Sequence, residues 1–328
     1  MIIVTKQYRG SIVESFHIGY AVAIDDNNNI VFAAGDPEYP VYIRSAAKPF
    51  QVVPLLESGA VDAYNLSDEE IAVMCASHNG ETFHVEAVSS ILKKIGLGIE
   101  DLKCGIHNPL DKVSYEQMIL KGRRATAVHN NCSGKHAGML ALAKHLGVST
   151  NNYLDINHPV QEKILEKIKL YSEKDKIPFA LDGCSAPTFF LPLKNIAIMF
   201  RALAGGEDEF MQKVLHIMSL HPKLIGGRGR FDTDFITLMS GRGISKVGAE
   251  GIRGIGIRTE EDRYIGIALK VLSGSWKASD SMIVEILNHL KLIDTDTVAK
   301  LQNYHSPNLL NHNDLVEGKI ETEIISEG

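Results

Sequence analysis

Ser45 and Lys48 are the residues of this 328-residue chain whose types and spacing most clearly suggest chemistry. They lie in Tyr42-Ile43-Arg44-Ser45-Ala46-Ala47-Lys48-Pro49-Phe50-Gln51, after strand-like residues and before a helix-like run from Phe50 to Leu56. A serine hydroxyl becomes a good nucleophile near neutral pH only when a base takes its proton. A lysine three residues on, at the start of a helix, projects to the same side and can be that base. A serine ahead of a helix can equally be an N-cap and nothing more. The choice rests on what else the chain carries.

Two further segments bear on it. Ser77-His78-Asn79 is a Ser-x-Asn and Lys246-Val247-Gly248 a Lys-x-Gly. Ser-x-x-Lys, Ser-x-Asn and Lys-x-Gly, in that order, resemble the three-part active site of the serine β-lactamases and penicillin-binding proteins. The valine at 247 replaces the usual Thr or Ser and removes a hydroxyl, and the gap between the first two motifs is short. Three more blocks narrow the resemblance: Cys104-Gly105-Ile106-His107-Asn108-Pro109, His129-Asn130-Asn131-Cys132-Ser133-Gly134-Lys135-His136-Ala137-Gly138-Met139, and Leu181-Asp182-Gly183-Cys184-Ser185-Ala186-Pro187-Thr188. With the Arg44–Gln51 block, they make the chain resemble the Rhizobium-type L-asparaginases (asparaginase II family), a family distinct from the bacterial asparaginases with a threonine nucleophile.

That resemblance implies hydrolysis of L-asparagine to L-aspartate and ammonia. It implies Ser45 as nucleophile with Lys48 as its base, and Ser77 with Lys246 as a second hydroxyl–amine pair serving the leaving group. Lys270, interrupting an apolar strand, is the other candidate for that second amine. Arg44, Asn79 and Asp182 are expected to hold the substrate, and Arg228 or Arg230 is a further candidate for its carboxylate. The family makes Cys132, Lys135 and Cys184 zinc ligands; two thiolates suit zinc, while an amine ligand must first lose its proton. From the sequence alone, both cysteines read equally as ordinary buried thiols. Zinc is thus a possible cofactor that the nucleophile does not require. A homodimer is what the resemblance implies. Alternatives are another serine amidohydrolase of the β-lactamase group, a glutaminase or peptidase, or a non-catalytic zinc-binding homologue.

Composition sets the frame. Hydrophobic residues make up 45% and charged residues 23%, as in a soluble globular protein, and the net charge of −6 argues against nucleic acid or an anionic membrane as partner. The N-terminus lacks a basic region followed by a long apolar core, which predicts no signal peptide, a cytoplasmic protein and reduced cysteines. Cys104-x-x-His107 reads as a structural loop, since no second pair of ligands accompanies it. Gly19–Ile24 and Ile30–Ala33 around Asp25–Asn29 predict a hairpin. Capping boxes at Ser67 and Ser114, helical spacing over Thr82–Ile95 and Pro159 at a first helical position predict helices in the middle. Strands return near Gly251–Arg258 and Tyr264–Leu272, followed by a helix from Lys277 to Leu292. The expected fold is α/β and β-lactamase-like: a mostly antiparallel sheet flanked by helices, with an inserted helical lobe. The sheet lobe is placed at about 1–43 and 225–328, the helical lobe at about 44–224, with the catalytic groove between them. Residues 316–328, polar and acidic, are expected to be loosely ordered.

Overall fold

Strands come first because the N-terminal sequence alternates and is rich in β-branched residues. In the computed structural model, which describes residues 1–326, Ile2–Arg9 (β1), Ile12–Ile24 (β2) and Ile30–Ala34 (β3) form antiparallel neighbours. The Asp25 carboxylate closes the expected hairpin by accepting the Asn27 and Asn29 N–H groups, both at 2.9 Å. Late in the chain, Gly243–Gly248 (β4), Ile252–Arg258 (β5), Tyr264–Val271 (β6), Asn308–Leu310 (β7) and Val316–Ile325 (β8) complete an eight-stranded sheet. Its order is β7-β8-β1-β2-β6-β5-β4, with β3 beside β2, and the pairings are antiparallel.

The C-terminal expectation is overturned by β8. Residues 316–325 pair with β1 from Ile2↔Ile325 to Gln7↔Ile320, burying Gly318 and Ile320 while polar neighbours face outward. Half the strand is solvated, so it reads as a polar tail. The end of that segment, residues 327 and 328, lies outside the described residues.

Two units divide the chain. The first contains Met1–Ile43, Leu191–Gly205 and the residues from Arg242 on; the second contains Arg44–Phe190 and Gly206–Gly241. The later boundary thus falls at Arg242 rather than near 225, and the helix Leu193–Gly205 belongs with the sheet. That helix lies on one sheet face because glycines clear the way. A Cβ on Gly266 would stand 2.0 Å from the Ala197 carbonyl oxygen, and one on Gly254 would run into the Phe200 ring. The helix Trp276–His289 covers the other face, where Gly19 meets Met282 and buried Arg253 ion-pairs with Asp280. This is the expected α/β arrangement of an antiparallel sheet with helices on it.

The second unit is mainly helical. Ser67 and Glu70 form the predicted capping box of Asp68–Met74. The box expected at Ser114 is absent, because Asp111 caps Lys112–Leu120 and its carboxylate takes both the N–H and the hydroxyl of Ser114. Thr82–Lys94 and Pro159–Ser172 follow the predicted helices closely, and Ser133–His145 forms a further long helix. The run from Phe50 to Leu56 is broken into Lys48–Gln51 and Val53–Glu57, each with a proline in its first turn. No helix among the described residues is long and apolar enough to cross a membrane.

Two buried histidines in this unit are polarised by their partners. His78 Nδ1 accepts the Gly80 N–H at 3.1 Å, so its Nε2 carries the proton and donates to Ser133 Oγ at 2.9 Å. His84 donates from Nε2 to the Lys223 carbonyl at 3.1 Å and stacks on His78. Burial holds both imidazoles neutral: it lowers His84 to about 4 and His78 well below its ordinary value.

Two outcomes follow from this packing. Gly266→Ala should destabilise the protein by about 1–3 kcal/mol or more in chemical denaturation, since backbone atoms of the helix must move; Gly183→Ala, where a Cβ meets nothing within 4 Å, should be near neutral. Acid should weaken the fold through the histidines. Above the unfolded imidazole value of about 6.5, neither state is protonated; below it the unfolded chain takes a proton that the folded chain refuses. Stability is therefore complete above about 6.5 and falls as pH drops toward 4. His84 alone withdraws about 3 kcal/mol over that window. Denaturation midpoints between pH 7 and pH 4.5 measure this, and a pH-independent midpoint would contradict it.

Candidate active site

Ser45 lies in a single 3-10 turn, Arg44–Ala47, that leads directly into Lys48–Gln51. The residue before it is under strain: Arg44 adopts φ 50°, a left-handed conformation uncommon for a bulky side chain. Two bonds hold it there. Its N–H donates to Thr188 Oγ1 at 3.1 Å and its guanidinium Nε to Asp182 Oδ1 at 2.6 Å. Arg44 and Asp182, both expected to hold substrate, are thus partners of each other.

Lys48 is 1% exposed. Its Nζ donates to the Ala76 carbonyl at 2.5 Å, the Asn131 carbonyl at 3.1 Å and Ser77 Oγ at 3.3 Å. Three acceptors surround the amine, and the hydroxyl among them belongs to Ser77. Ser45, partly exposed, is not a hydrogen-bond partner of Lys48 in this geometry. Sequence spacing identified both side chains, but the loop that delivers Ser77 decides which one the amine touches.

That loop is fixed from outside. The Ser77 N–H donates to the Ile225 carbonyl at 3.0 Å and the Asn79 N–H to the Gly226 carbonyl at 2.9 Å. Asn79 also donates from Nδ2 to the Arg228 carbonyl and accepts Arg230 Nη1 on Oδ1 at 3.2 Å. Its carbonyl receives the Leu110 and Asp111 N–H groups. Asn79, expected to bind substrate, therefore spends its amide on the Gly226–Arg230 loop. Arg228 is exposed, 3.8 Å from Glu81 and 4.0 Å from Asp111.

Cys132 and Lys135 open the helix Ser133–His145, one turn apart on one side. Gly134 between them lets this helix lie against Asp68–Met74, since a Cβ there would stand 2.0 Å from the Val73 carbonyl oxygen. Cys184 comes from the tight turn between Phe179–Leu181 and Pro187–Pro192, where Ser185 has φ 68° and the Asp182 N–H donates to the Ala186 carbonyl. The three residues meet. Lys135 Nζ donates to Cys184 Sγ at 3.1 Å, and the Cys132 thiol, which donates to Asn131 Oδ1 at 3.3 Å, lies close enough to that sulfur for the two to influence each other.

The electrostatics follow from this meeting. The Cys132 thiol and the Lys135 ammonium favour a thiolate at Cys184, lowering it well below an ordinary thiol despite burial. The neighbouring Cys184 sulfur, together with burial, pushes Cys132 up. Burial would lower Lys135, but Cys184, Cys132 and Asp182 reverse this and raise it. Burial raises Asp182, and Lys135, Arg44 and the Gly183 N–H outweigh it, so its carboxyl stays below the usual range. Among the described residues, no three His, Cys, Asp or Glu side chains gather around one point. A metal at this place would thus need the Lys135 amine as third donor beside two sulfurs. The donor set fits zinc on that condition, with a fourth position open.

Lys246 belongs to the first unit. It is fully buried on β4 and faces Gly254 across the strand pair, on the sheet face covered by Leu193–Gly205; its Nζ donates to the Val247 carbonyl at 2.8 Å. Lys270 projects to the same face, opposite Ile252, but is partly exposed and donates to the Glu250 and Val271 carbonyls.

Sequence reasoning missed the backbone acceptors Ala76 and Asn131, and Thr188 behind Arg44. A carbonyl leaves no mark on residue type. Asn131 and Thr188 did lie inside the distinctive blocks.

Among solved structures, the chain is similar to Mglu in its native form, with 12% identity, a TM-score of 0.45, and 85% of this chain and 66% of that one covered. It is also similar to Mglu in its tris and glutamate form (13%, TM-score 0.38, 89% and 63% covered) and in an L-glutamate-binding form at 4.3 M NaCl (12%, 0.38, 85% and 61%). The chain spans about two thirds of the length of those proteins. No curated protein matches it. The model of the L-asparaginase II family matches residues 5–322, nearly the whole length. The chain belongs to the L-asparaginase II family.

Proposed function

We propose that this protein is an L-asparaginase that attacks the side-chain amide of L-asparagine with a serine hydroxyl activated by a lysine. The observation that carries the reading is the cluster of Ser45, Lys48 and Ser77, with the Lys48 amine 3.3 Å from Ser77 Oγ and Ser45 one turn ahead of it, in a chain of this family. In the reaction a serine oxygen bonds to the amide carbon while its proton passes to an amine. The tetrahedral intermediate collapses, and ammonia departs with a proton returned by the amine. Water then cleaves the acyl-enzyme, releasing aspartate and restoring the hydroxyl. The Ser45 N–H, in a first turn, has no intrahelical acceptor and is suited to the developing oxyanion.

Ser45 is the nucleophile in this reading, with Lys48 and Ser77 forming the route for its proton. A second reading is favoured by one observation: the Lys48 amine touches Ser77, so Ser77 could be the attacking oxygen. Lys246, buried on β4, is taken as the second amine on the family resemblance. Asparagine and glutamine differ by one methylene, worth roughly 1–3 kcal/mol of discrimination, so glutamine is the natural competing substrate. Cys132, Lys135 and Cys184 would hold zinc, with the Lys135 proton displaced as metal binds. Zinc there would supply a positive charge and an open coordination position for a substrate carboxylate. The chain's own part is to keep Asp182 ionised beside Arg44 and Lys135, ready for the substrate's amino group.

Ser45→Ala should abolish ammonia release from L-asparagine while leaving the circular dichroism spectrum unchanged. Turnover retained in Ser45→Ala but lost in Ser77→Ala would transfer the attack to Ser77. Lys48→Met and Lys246→Met should each lose at least roughly a hundredfold in turnover; a near-normal Lys246→Met beside an inactive Lys270→Met would make Lys270 the second amine. Elemental analysis of the purified protein should give about one zinc per chain, lost in Cys132→Ala and Cys184→Ala, with activity reduced but not abolished by chelation. Metal-free protein of full activity, unaffected by added zinc, would remove the metal from the reading.

A further inference from the structure

We infer that His107 is a positioning residue for Lys48, acting through the backbone of Asn131. The inference rests on the catalytic reading of Lys48 above. The Asn131 N–H donates to His107 Nε2 at 2.8 Å, and the Asn131 carbonyl receives Lys48 Nζ at 3.1 Å. One residue thus links the imidazole to the buried amine by two hydrogen bonds. The ring has one possible polarity. Its Nδ1 lies 2.7 Å from the Asn108 carbonyl, which can only accept, so Nδ1 bears the proton and Nε2 keeps the lone pair that receives Asn131. Both nitrogens are engaged, so neither is open to a metal. This gives the Cys104-x-x-His107 segment a purpose other than ligation.

The neighbouring bonds explain why His107 matters. Asn130 Nδ2 donates to the Cys104 and Gly105 carbonyls at 2.9 and 3.2 Å, and Asn130 Oδ1 receives the Cys132 N–H at 2.8 Å. Those bonds hold the segment on either side of Asn131. Only His107 holds Asn131 at its own N–H, and it does so with a side chain. Lys48 has no carboxylate partner among its three acceptors, two of which are carbonyls in loops. The direction of its Nζ therefore depends on how firmly those loops are placed. A shift of about 1 Å in such a group can cost a hundredfold in rate, and smaller shifts proportionately less.

The test uses three variants of the full chain. A glutamine at 107 can bring its amide oxygen to the place of Nε2, whereas asparagine reaches only the place of Nδ1 and leucine offers no acceptor. His107→Leu and His107→Asn should lower kcat on L-asparagine about tenfold with KM within about twofold, and His107→Gln should stay within about twofold of the parent in both. A residue that merely supported the fold would lower the melting temperature without this split and without rescue by glutamine. Crystal structures of the parent and His107→Leu give the second readout: the Asn131 O to Lys48 Nζ separation should widen beyond 3.5 Å in the variant. Unchanged kcat in His107→Leu, equal losses in the leucine and glutamine variants, or an unchanged separation would each overturn the inference. If the parent released no ammonia from any amide, the proposed function would fall, and the two crystal structures would still decide whether His107 places Lys48.

Discussion

A lysine amine cannot be left bare in a protein interior, and much of the helical unit follows from that constraint. Lys48 lies at the start of a short helix, 1% exposed, without a carboxylate partner among the described residues. It is satisfied by two peptide carbonyls and one hydroxyl, so the chain must bring two separate loops to it. The loop at Ala76–Asn79 is tied to Ile225 and Gly226, and the loop at Asn130–Cys132 hangs from Cys104, Gly105 and His107. Removing either support would leave a buried amine short of an acceptor. The two loops are therefore tied together by the residue they enclose.

Beside this cluster runs a chain of alternating charge: the Cys184 thiolate, the Lys135 ammonium, the Asp182 carboxylate and the Arg44 guanidinium. Each member is stabilised by the next, which is how four ionisable groups share a poorly solvated space. The far end of the chain holds Arg44 in its left-handed conformation, one residue before Ser45. The backbone strain next to Ser45 and the electrostatics around the thiols thus belong to one connected structure. A change of charge at Cys184 would be felt at Arg44 through two intervening partners.

Much of the fold was legible in the sequence, because its elements follow local rules. The hairpin at Asp25–Asn29, the box at Ser67 and Glu70 and the proline-led helix at Pro159 all formed as their residue types dictate. The failures have physical causes. Ser114 matched a capping pattern, but Asp111 three residues earlier is the stronger acceptor and starts the helix sooner. Val316–Ile325 looks like a tail because half of its side chains meet water, while its Thr322 hydroxyl, 2.7 Å from Thr5 Oγ1, is inside the sheet. In the candidate site, residue types stood out in the sequence and pairings did not. Ser45 and Lys48 stand out by spacing, yet the amine touches Ser77, thirty-two residues after Ser45 and brought in by a loop whose anchors are carbonyls.

The two sides of the thiol–amine group differ in how much change they can absorb. On the helix side, Gly134 is pressed against the Val73 carbonyl and admits no side chain. On the hairpin side, Gly183 is exposed, and a side chain built on it would meet nothing within 4 Å. Gly183 also stands directly between Asp182 and Cys184. A spectroscopic reporter attached there would sit next to the Asp182 carboxylate and the Cys184 sulfur without disturbing the packing around them, whereas the neighbouring helix offers no such attachment point. Sequence drift should be distributed in the same way: variation among relatives can enter through the hairpin, and the glycine on the helix cannot change unless the helix beneath it moves.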